Sequence, residues 1–216
     1  MSLHEFQRAL CDMTLAPAFA ASVLKTGAPA LADYSLTVIE MDRLVAVVSQ
    51  RGMSVNCTLA RANRFAPIAD AFPLTCSLLK PHLRGLLDEL WSVHRPAGYQ
   101  LAGEAGAFAV FLEEKLSRGE LDHEYAAEVF RYECAAWSLI QSLRQSVSPP
   151  ELEAAAEQST TARFTHDPRI LVACLERDQQ PPAGLPSGDY TVRLRLRGDT
   201  LDVDVVSEPP PPRVLL

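Results

Sequence analysis

Apolar positions in the first 145 residues recur every three or four residues, the spacing that is typical of amphipathic helices. One stripe of this kind passes through Leu3, Phe6, Leu10 and Met13, and the longest extends over residues 121–144. Few positions in this part alternate with the period of a strand. The pattern predicts a helical domain over residues 1–148.

Capping and helix-breaking residues locate several helix ends. Thr37 with Glu40 three positions later forms a capping box, which predicts a helix start. Phe72 precedes Pro73, and proline disfavours helical geometry in the residue before it, so a helix should end there. Pro67 lies inside the same segment and removes one helical hydrogen bond. We expect a kink or two consecutive helices at that point.

Near the C-terminus the apolar period changes to two. The segments YTVRLRLR and TLDVDVVS alternate strictly on either side of Gly198-Asp199, which suits a type II′ hairpin turn. A slip of one residue would put the apolar set on the wrong face of the sheet. The predicted register pairs Leu196 with Leu201, Leu194 with Val203, Val192 with Val205, Arg195 with Asp202 and Arg193 with Asp204.

A short apolar run, ILVACLE at residues 170–176, has the length and composition of a buried strand. Together with the hairpin it predicts a small α+β domain over residues 159–208. The Ser148-Pro149-Pro150 segment marks the change in composition before it. The predicted fold class is therefore α+β, an N-terminal helical domain followed by a small domain that contains a β-hairpin.

The segment 50–76 carries polar and basic side chains at helical spacing. Asn56, Arg61, Asn63 and Arg64 would lie on its exposed face, while Leu59 belongs to the opposite, core-facing set. Arginine and asparagine side chains offer many hydrogen-bond donors, so these four residues are candidates for binding a partner. The alternative is an ordinary solvated helix face.

Charge and cysteine usage narrow the classes of partner. The net charge of −7 argues against nonspecific binding to nucleic acid, although residues 51–95 hold six basic and three acidic side chains. The five cysteines are widely spaced and include no CxxC pair, so we expect thiols in a reducing cytoplasm. No run approaches the length of a membrane span, and the N-terminus does not have the pattern of a signal peptide.

No set of residues has the spacing of an active site or a metal site. His123, Glu124 and Glu128 share one predicted helix, but it has no second histidine one turn away, as a helical zinc pair requires. His82 and His94 are twelve residues apart and lack a third ligand. Nucleophile elbows and phosphate-binding loops are also absent from the sequence. We therefore expect neither catalytic residues nor metal ligands in this chain.

A distributed set of residues resembles the N-terminal domain of a family labelled DNA-binding and linked to bacterial peptide-modification operons. Within that group the chain is most similar to partner subunits of multinuclear non-heme iron oxidative enzymes, such as those of methanobactin and 3-thiaglutamate biosynthesis. The similarity covers residues 5–145, and Pro67 departs from it by interrupting the central helix. The residues that carry it are Asn63-Arg64, Phe72-Pro73-Leu74-Thr75, Leu79, Leu83, Leu90-Trp91, Glu104-Ala105, Phe108, Phe111-Leu112 and Tyr132-Glu133-Cys134-Ala135.

This resemblance implies a non-catalytic subunit of a heterodimer. It would bind the leader of a ribosomally synthesised precursor peptide and present the core cysteine of that peptide to the iron enzyme. Iron would be held by the enzyme, and this chain would carry no cofactor.

A small sheet with an open edge can accept an extended peptide as an added strand. The alternative is that the hairpin only packs on its neighbours. The candidate peptide-binding residues are Ile170, Val172, Cys174, Val192, Leu194 and Leu196.

Two other classes of function stay open. A DNA-binding regulator fits the family label and the local basic excess, but the negative net charge and the lack of a clear helix-turn-helix oppose it. An enzyme in its own right would need reactive residues in a recognisable arrangement, and the sequence offers none.

Overall fold

The computed structural model describes residues 3–94, 103–146, 158–197 and 200–207. The fold is α+β, with helices in the N-terminal part and a small antiparallel sheet after them, as predicted. The elements in chain order are α1 (Leu3–Leu15), α2 (Pro17–Thr26), a 3₁₀ helix (Ala28–Leu31), α3 (Val38–Val48), α4 (Arg51–Ala71), α5 (Pro73–Leu78), α6 (Lys80–Val93), α7 (Glu104–Ser117), α8 (Ala126–Ser146), β1 (Gln158–His166), α9 (Pro168–Glu176), β2 (Ser187–Arg197) and β3 (Thr200–Ser207).

The chain divides into two compact units, each built from two stretches of sequence. The first comprises the described residues of Met1–Pro67 and Asp88–Glu104, and the second those of Ile68–Leu87 and Ala105–Leu216. The segment between the two domains predicted from the sequence, 149–158, lies outside the described residues except for Gln158. The compact units are thus divided at positions that the composition of the sequence does not mark.

In the first unit, the helices from α1 to α4 surround one apolar core. The predicted capping box at the start of α3 is confirmed, since Thr37 Oγ1 accepts from the backbone N–H of Glu40 and Glu40 Oε2 accepts from that of Thr37. A hydrogen bond of 2.6 Å from Tyr34 Oη to Asp12 Oδ2 adds a polar link at the edge of this core. The buried core residues are Ala9, Met13, Ala20, Val23, Leu31, Leu44, Val48 and Met53.

The helix α4 runs without interruption from Arg51 to Ala71 and contains Pro67. It ends just before Phe72 and Pro73, as predicted. Of the two predicted alternatives, two consecutive helices are excluded because one helix continues across the proline, and a kink at Pro67 stays a prediction. Since proline has no N–H, the carbonyl of Asn63 one turn earlier lacks its usual helical donor.

Aromatic rings form the centre of the second unit. Phe72 is fully buried, and its ring centroid lies 5.7 Å from those of Phe108 and Phe130 and 5.8 Å from that of Trp137. Tilted pairs at such distances are favourable beyond the area that they bury. These contacts join the start of α5 to α7 and α8.

The sheet has the strand order β1-β2-β3, and both pairings are antiparallel. The predicted register between β2 and β3 is confirmed at all five pairs, while the turn at 198–199 lies outside the described residues. The helix α8 packs on one face of the sheet, where Leu139 joins Leu194 and Leu196 in a cluster and Tyr132 lies against Phe164. The other face of the sheet carries the polar side chains.

Candidate functional site

The predicted peptide-binding residues of β2 are core residues. Val192, Leu194 and Leu196 are buried on the apolar face that α8 covers. Because β2 has β1 on one side and β3 on the other, it has no edge to which a further strand could pair. An added strand can pair only with the outer strands β1 and β3.

The prediction of a strand at 170–176 is wrong. Ile170, Val172 and Cys174 lie on α9, a helix that begins at Pro168 and is capped by the Asp167 carboxylate, which accepts from the backbone N–H of Arg169 at 2.9 Å. Asp followed by Pro at the first helical position is a helix-start signature, and it precedes the apolar run. These residues therefore offer no strand edge to a peptide.

The strand β1 was not predicted from the sequence. Ala162, Phe164 and His166 alternate along it, and all three are buried. This alternation is a period-two pattern in the sequence, but the polar residues around it weaken the apolar contrast. Because the strand order is β1-β2-β3, β1 is one of the two outer strands, and its outer edge is a candidate for binding an extended peptide.

The solvent face of the sheet carries opposite charges at its two sides. On β3, Asp204 is ion-paired with Arg195, and Asp202 lies 3.7 Å from Arg197 on the neighbouring strand. Threonine, serine and arginine side chains occupy the equivalent face of β1, namely Ser159, Thr161 and Arg163. The sheet is therefore acidic along β3 and hydroxyl-rich and basic along β1.

A groove of about 430 Å³ lies between α8 and β1 on the other, covered face. The side chains around it are mostly small. Its lining consists of Cys134, Ala135, Ser138, Leu139, Ser142 and Thr160.

The prediction that Arg64 is exposed is wrong, since Arg64 belongs to a buried ion pair. Its Nε lies 2.6 Å from Glu104 Oε1, and both side chains are 1% exposed. Arg64 Nη2 also donates to the His94 carbonyl at 2.9 Å, and the Trp91 indole N–H donates to Glu104 Oε2 at 3.2 Å. Arg64 lies one helical turn before the buried Ile68, so its inward orientation was contained in the helical period.

The exposed side of α4 is largely free of charge. Asn56 and Asn63 are exposed, as predicted, and Val55 and Leu59 beside them are 56% and 55% exposed although Leu59 was predicted to face the core. The fourth predicted residue, Arg61, is partly buried and ion-paired with a carboxylate. The four predicted partner-binding residues therefore do not form one basic surface.

A second buried charged group links α8 to the end of β1. Glu128 Oε2 accepts from the N–H and the hydroxyl of Thr165 at 2.6 and 2.9 Å, and Glu128 Oε1 lies 2.8 Å from His166 Nδ1. The edge of the Tyr125 ring contacts the imidazole, and Glu124 Oε1 lies 3.7 Å from Nε2. No hydroxyl or thiol of the described residues is hydrogen-bonded to Nε2. The contacts of Glu128 with Thr165 and His166 connect α8 to the end of β1.

The buried Glu133 caps a helix of the same unit. Its two carboxylate oxygens accept from the backbone N–H groups of Leu74 and Thr75, each at 2.7 Å, at the start of α5. Burial nevertheless raises the pKa of Glu133 to about 7, because removal from water disfavours the charged form more than these bonds favour it. The ionisation of this cap therefore changes near neutral pH.

Two of the five cysteines, Cys76 and Cys134, have the properties of structural thiols. None of the five is in a disulfide, and burial raises the pKa of Cys76 and of Cys134 to about 12. The thiolate is the reactive form, so both are poor nucleophiles at neutral pH.

The parts of the chain that the structure describes contain no group of three or more histidine, cysteine or acidic side chains arranged to hold a metal ion. They also contain no helix of sufficient length and apolar character to cross a membrane. No protein-family model matches the chain, and no curated protein matches it either.

Proposed function

We propose that this chain is a non-catalytic partner subunit in the biosynthesis of a ribosomally made, modified peptide. It binds the leader of the precursor and presents the core cysteine to an iron-dependent oxidative enzyme. The observation that supports this role is the three-stranded sheet, whose outer strands β1 and β3 pair only with β2 within the described residues. Unpaired backbone groups on an outer strand are what an extended peptide needs in order to bind.

The choice of partner rests on the sequence resemblance over residues 5–145. In this proposal the iron belongs to the enzyme, and the two proteins form a heterodimer in the cytoplasm. The subunit contributes by holding the precursor, which raises the effective concentration of the core cysteine at the iron site.

The enzyme docks on the exposed side of α4 in this proposal. Val55 and Leu59 form an apolar surface there, and Asn56 and Asn63 flank it with uncharged hydrogen-bonding groups. Apolar centres with polar surroundings are characteristic of protein interfaces. A surface of this kind fits an apolar patch of the enzyme, whereas the sequence alone favoured a basic contact.

The test is to express the chain together with the products of the genes that flank its own. Co-elution on size exclusion, iron content by mass spectrometry and the mass change of the precursor peptide are then measured. We expect an iron-containing complex whose precursor turnover falls strongly when this chain is omitted. An enzyme that modifies its precursor equally well without the chain would contradict the proposal.

Two variants separate docking from folding. Val55→Ser with Leu59→Ser should weaken co-elution, whereas Val110→Ser, at an equally exposed valine on α7, should not. A gel shift with the DNA upstream of the gene, at low and high salt, tests the DNA-binding alternative. A salt-resistant, sequence-specific shift would favour a regulator instead.

A further inference from the structure

Two arginines near the β1 side of the sheet have no carboxylate partner. Arg163 and Arg193 are exposed, and neither side chain forms an ion pair or hydrogen bond with any residue that the structure describes. Arg193 is opposite Asp204 in the register, but the Asp204 carboxylate is ion-paired with Arg195. The neighbouring Arg195 and Arg197, in contrast, are paired with the aspartates of β3. Positive charge on this face is therefore balanced at β3 and left unbalanced towards β1.

The register places the unbalanced arginines close to each other. Arg163 is opposite Thr191, and Arg193 is opposite Thr161, so the two arginines are diagonal neighbours with a threonine hydroxyl beside each. Diagonal residues of adjacent strands are about 7–8 Å apart, within the reach of long side chains. A carboxylate between them would receive charge-assisted hydrogen bonds and relieve the repulsion of two guanidinium groups.

The opposite face of the same strand offers space rather than charge. The groove between α8 and β1 includes Thr160 of β1 and the small side chains of α8 at Cys134 and Ser138. Successive side chains of a strand point to opposite faces of the sheet. A strand added beside β1 would thus direct alternate residues into the groove and the others towards Arg163.

We propose that the β1 edge binds an extended acidic peptide, with carboxylate side chains on the arginine face and small or apolar side chains in the groove. This inference rests on the proposed function, and it specifies the leader as acidic and its binding edge as β1. The β3 edge is unsuited to such a peptide, because Asp202 and Asp204 lie on its solvent face. Like charges directly opposite each other in a sheet are destabilising.

Three short synthetic peptides test the proposal with the full chain. In each peptide valine alternates with one other residue, which is glutamate in the first, lysine in the second and glutamine in the third. Fluorescence anisotropy at low and high salt measures their binding. The glutamate peptide should bind most tightly, and its affinity should fall at high salt. Arg163→Gln should reduce its affinity about tenfold, which is a typical loss for a charge-assisted contact. Arg118→Gln, which alters an exposed arginine just after α7, is the control and should have no effect.

Several outcomes would overturn the assignment. They are equal or tighter binding of the lysine peptide, absence of binding by all three peptides, and an unchanged affinity in Arg163→Gln. A gain in affinity with Asp202→Asn, without a response to Arg163→Gln, would move the site to β3. A precursor whose turnover requires the chain but is insensitive to Arg163→Gln would preserve the partner-subunit role and refute only the β1 site. If peptide binding depends on Arg163 but the chain has no effect on precursor turnover, the β1 site is supported and the partner-subunit role is refuted.

Discussion

Replacing Glu104 by glutamine should leave the buried Arg64 guanidinium without its counter-charge. Glutamine keeps nearly the same shape and can still accept from the Trp91 indole through its carbonyl oxygen, whereas its amide group opposes the guanidinium N–H donors. The change therefore removes mainly the charge of the partner. We expect a large loss of stability from this single substitution.

The size of the loss follows from the burial of the pair. Both side chains are 1% exposed, and the contact from Arg64 Nε to Glu104 Oε1 is 2.6 Å. Removing one member of such a pair costs about 3–5 kcal/mol, because the remaining charge stays buried without compensation. Arg64 retains its bond to the His94 carbonyl and its position 4.9 Å from the centroid of the Trp91 ring, so we expect about 3 kcal/mol.

Urea unfolding followed by circular dichroism and tryptophan fluorescence measures the loss, and a double-mutant cycle assigns it to the pair. Arg64→Met removes the charge from the other side, and the double variant removes both. Because the double variant leaves no unpaired buried charge, it should be less costly than the sum of the single variants by about 2 kcal/mol.

Arg61 provides a matched control. It also lies over the Trp91 ring, at 5.6 Å, but its ion pair with Asp88 is exposed to water, with side chains 27% and 50% exposed. Arg61→Met should therefore cost only about 0.2–1 kcal/mol. The reasoning is refuted if Glu104→Gln costs no more than this control, or if the two changes at the buried pair are additive.

Three further predictions concern the second unit. The pKa of Glu133 rises from its ordinary 4.5 to about 7 in the folded state, so the contribution of Glu133 to stability should be greatest below pH 4.5 and should be lost, by about 3 kcal/mol, as pH rises from there through 7. Glu133→Gln should abolish this part of the pH dependence in urea titrations, and an unchanged slope would contradict it. Tyr125→Phe removes the hydrogen bond that the phenol donates to the Pro182 carbonyl and the one that it accepts from the Leu185 N–H, so proteolysis within 178–188 should accelerate. An unchanged rate of cleavage would count against a fastening role. In the native chain at pH 8, Cys76 and Cys134 should react with iodoacetamide far more slowly than after unfolding, as peptide mass mapping can measure, and equal rates would show that their thiols are not shielded.

The sequence predicts best where its pattern has a single interpretation. Strict alternation with opposite charges fixed the pairing of β2 with β3, because any shift would expose the apolar set and separate the Arg and Asp residues. Capping chemistry likewise predicted the start of α3 at Thr37. These features depend on neighbouring residues only.

Errors arose where distant residues decide the outcome. ILVACLE has the composition of a strand, and the Asp167-Pro168 cap that makes it helical lies just outside the run. The helical spacing between Arg64 and Ile68 indicates that Arg64 faces inward, but its counter-charge is Glu104, forty residues away, and a local pattern does not reveal that partner. For the candidate binding edge, the sequence indicated a sheet, but the identity of its outer strands required the pairing of β1 with β2.

Each compact unit is built from two separate stretches of sequence, and this limits the order in which the chain can fold during its synthesis. The path passes from one unit to the other between residues 67 and 68, 87 and 88, and 104 and 105. The first unit cannot be completed on the ribosome until Glu104 has emerged to neutralise Arg64, although most of its helices are made much earlier. Until Glu104 is available, the Arg64 guanidinium has no counter-charge in the part of the first unit that has already been synthesised. A chain truncated after residue 67 would retain this defect permanently, so gene fragments for expression should extend beyond Glu104.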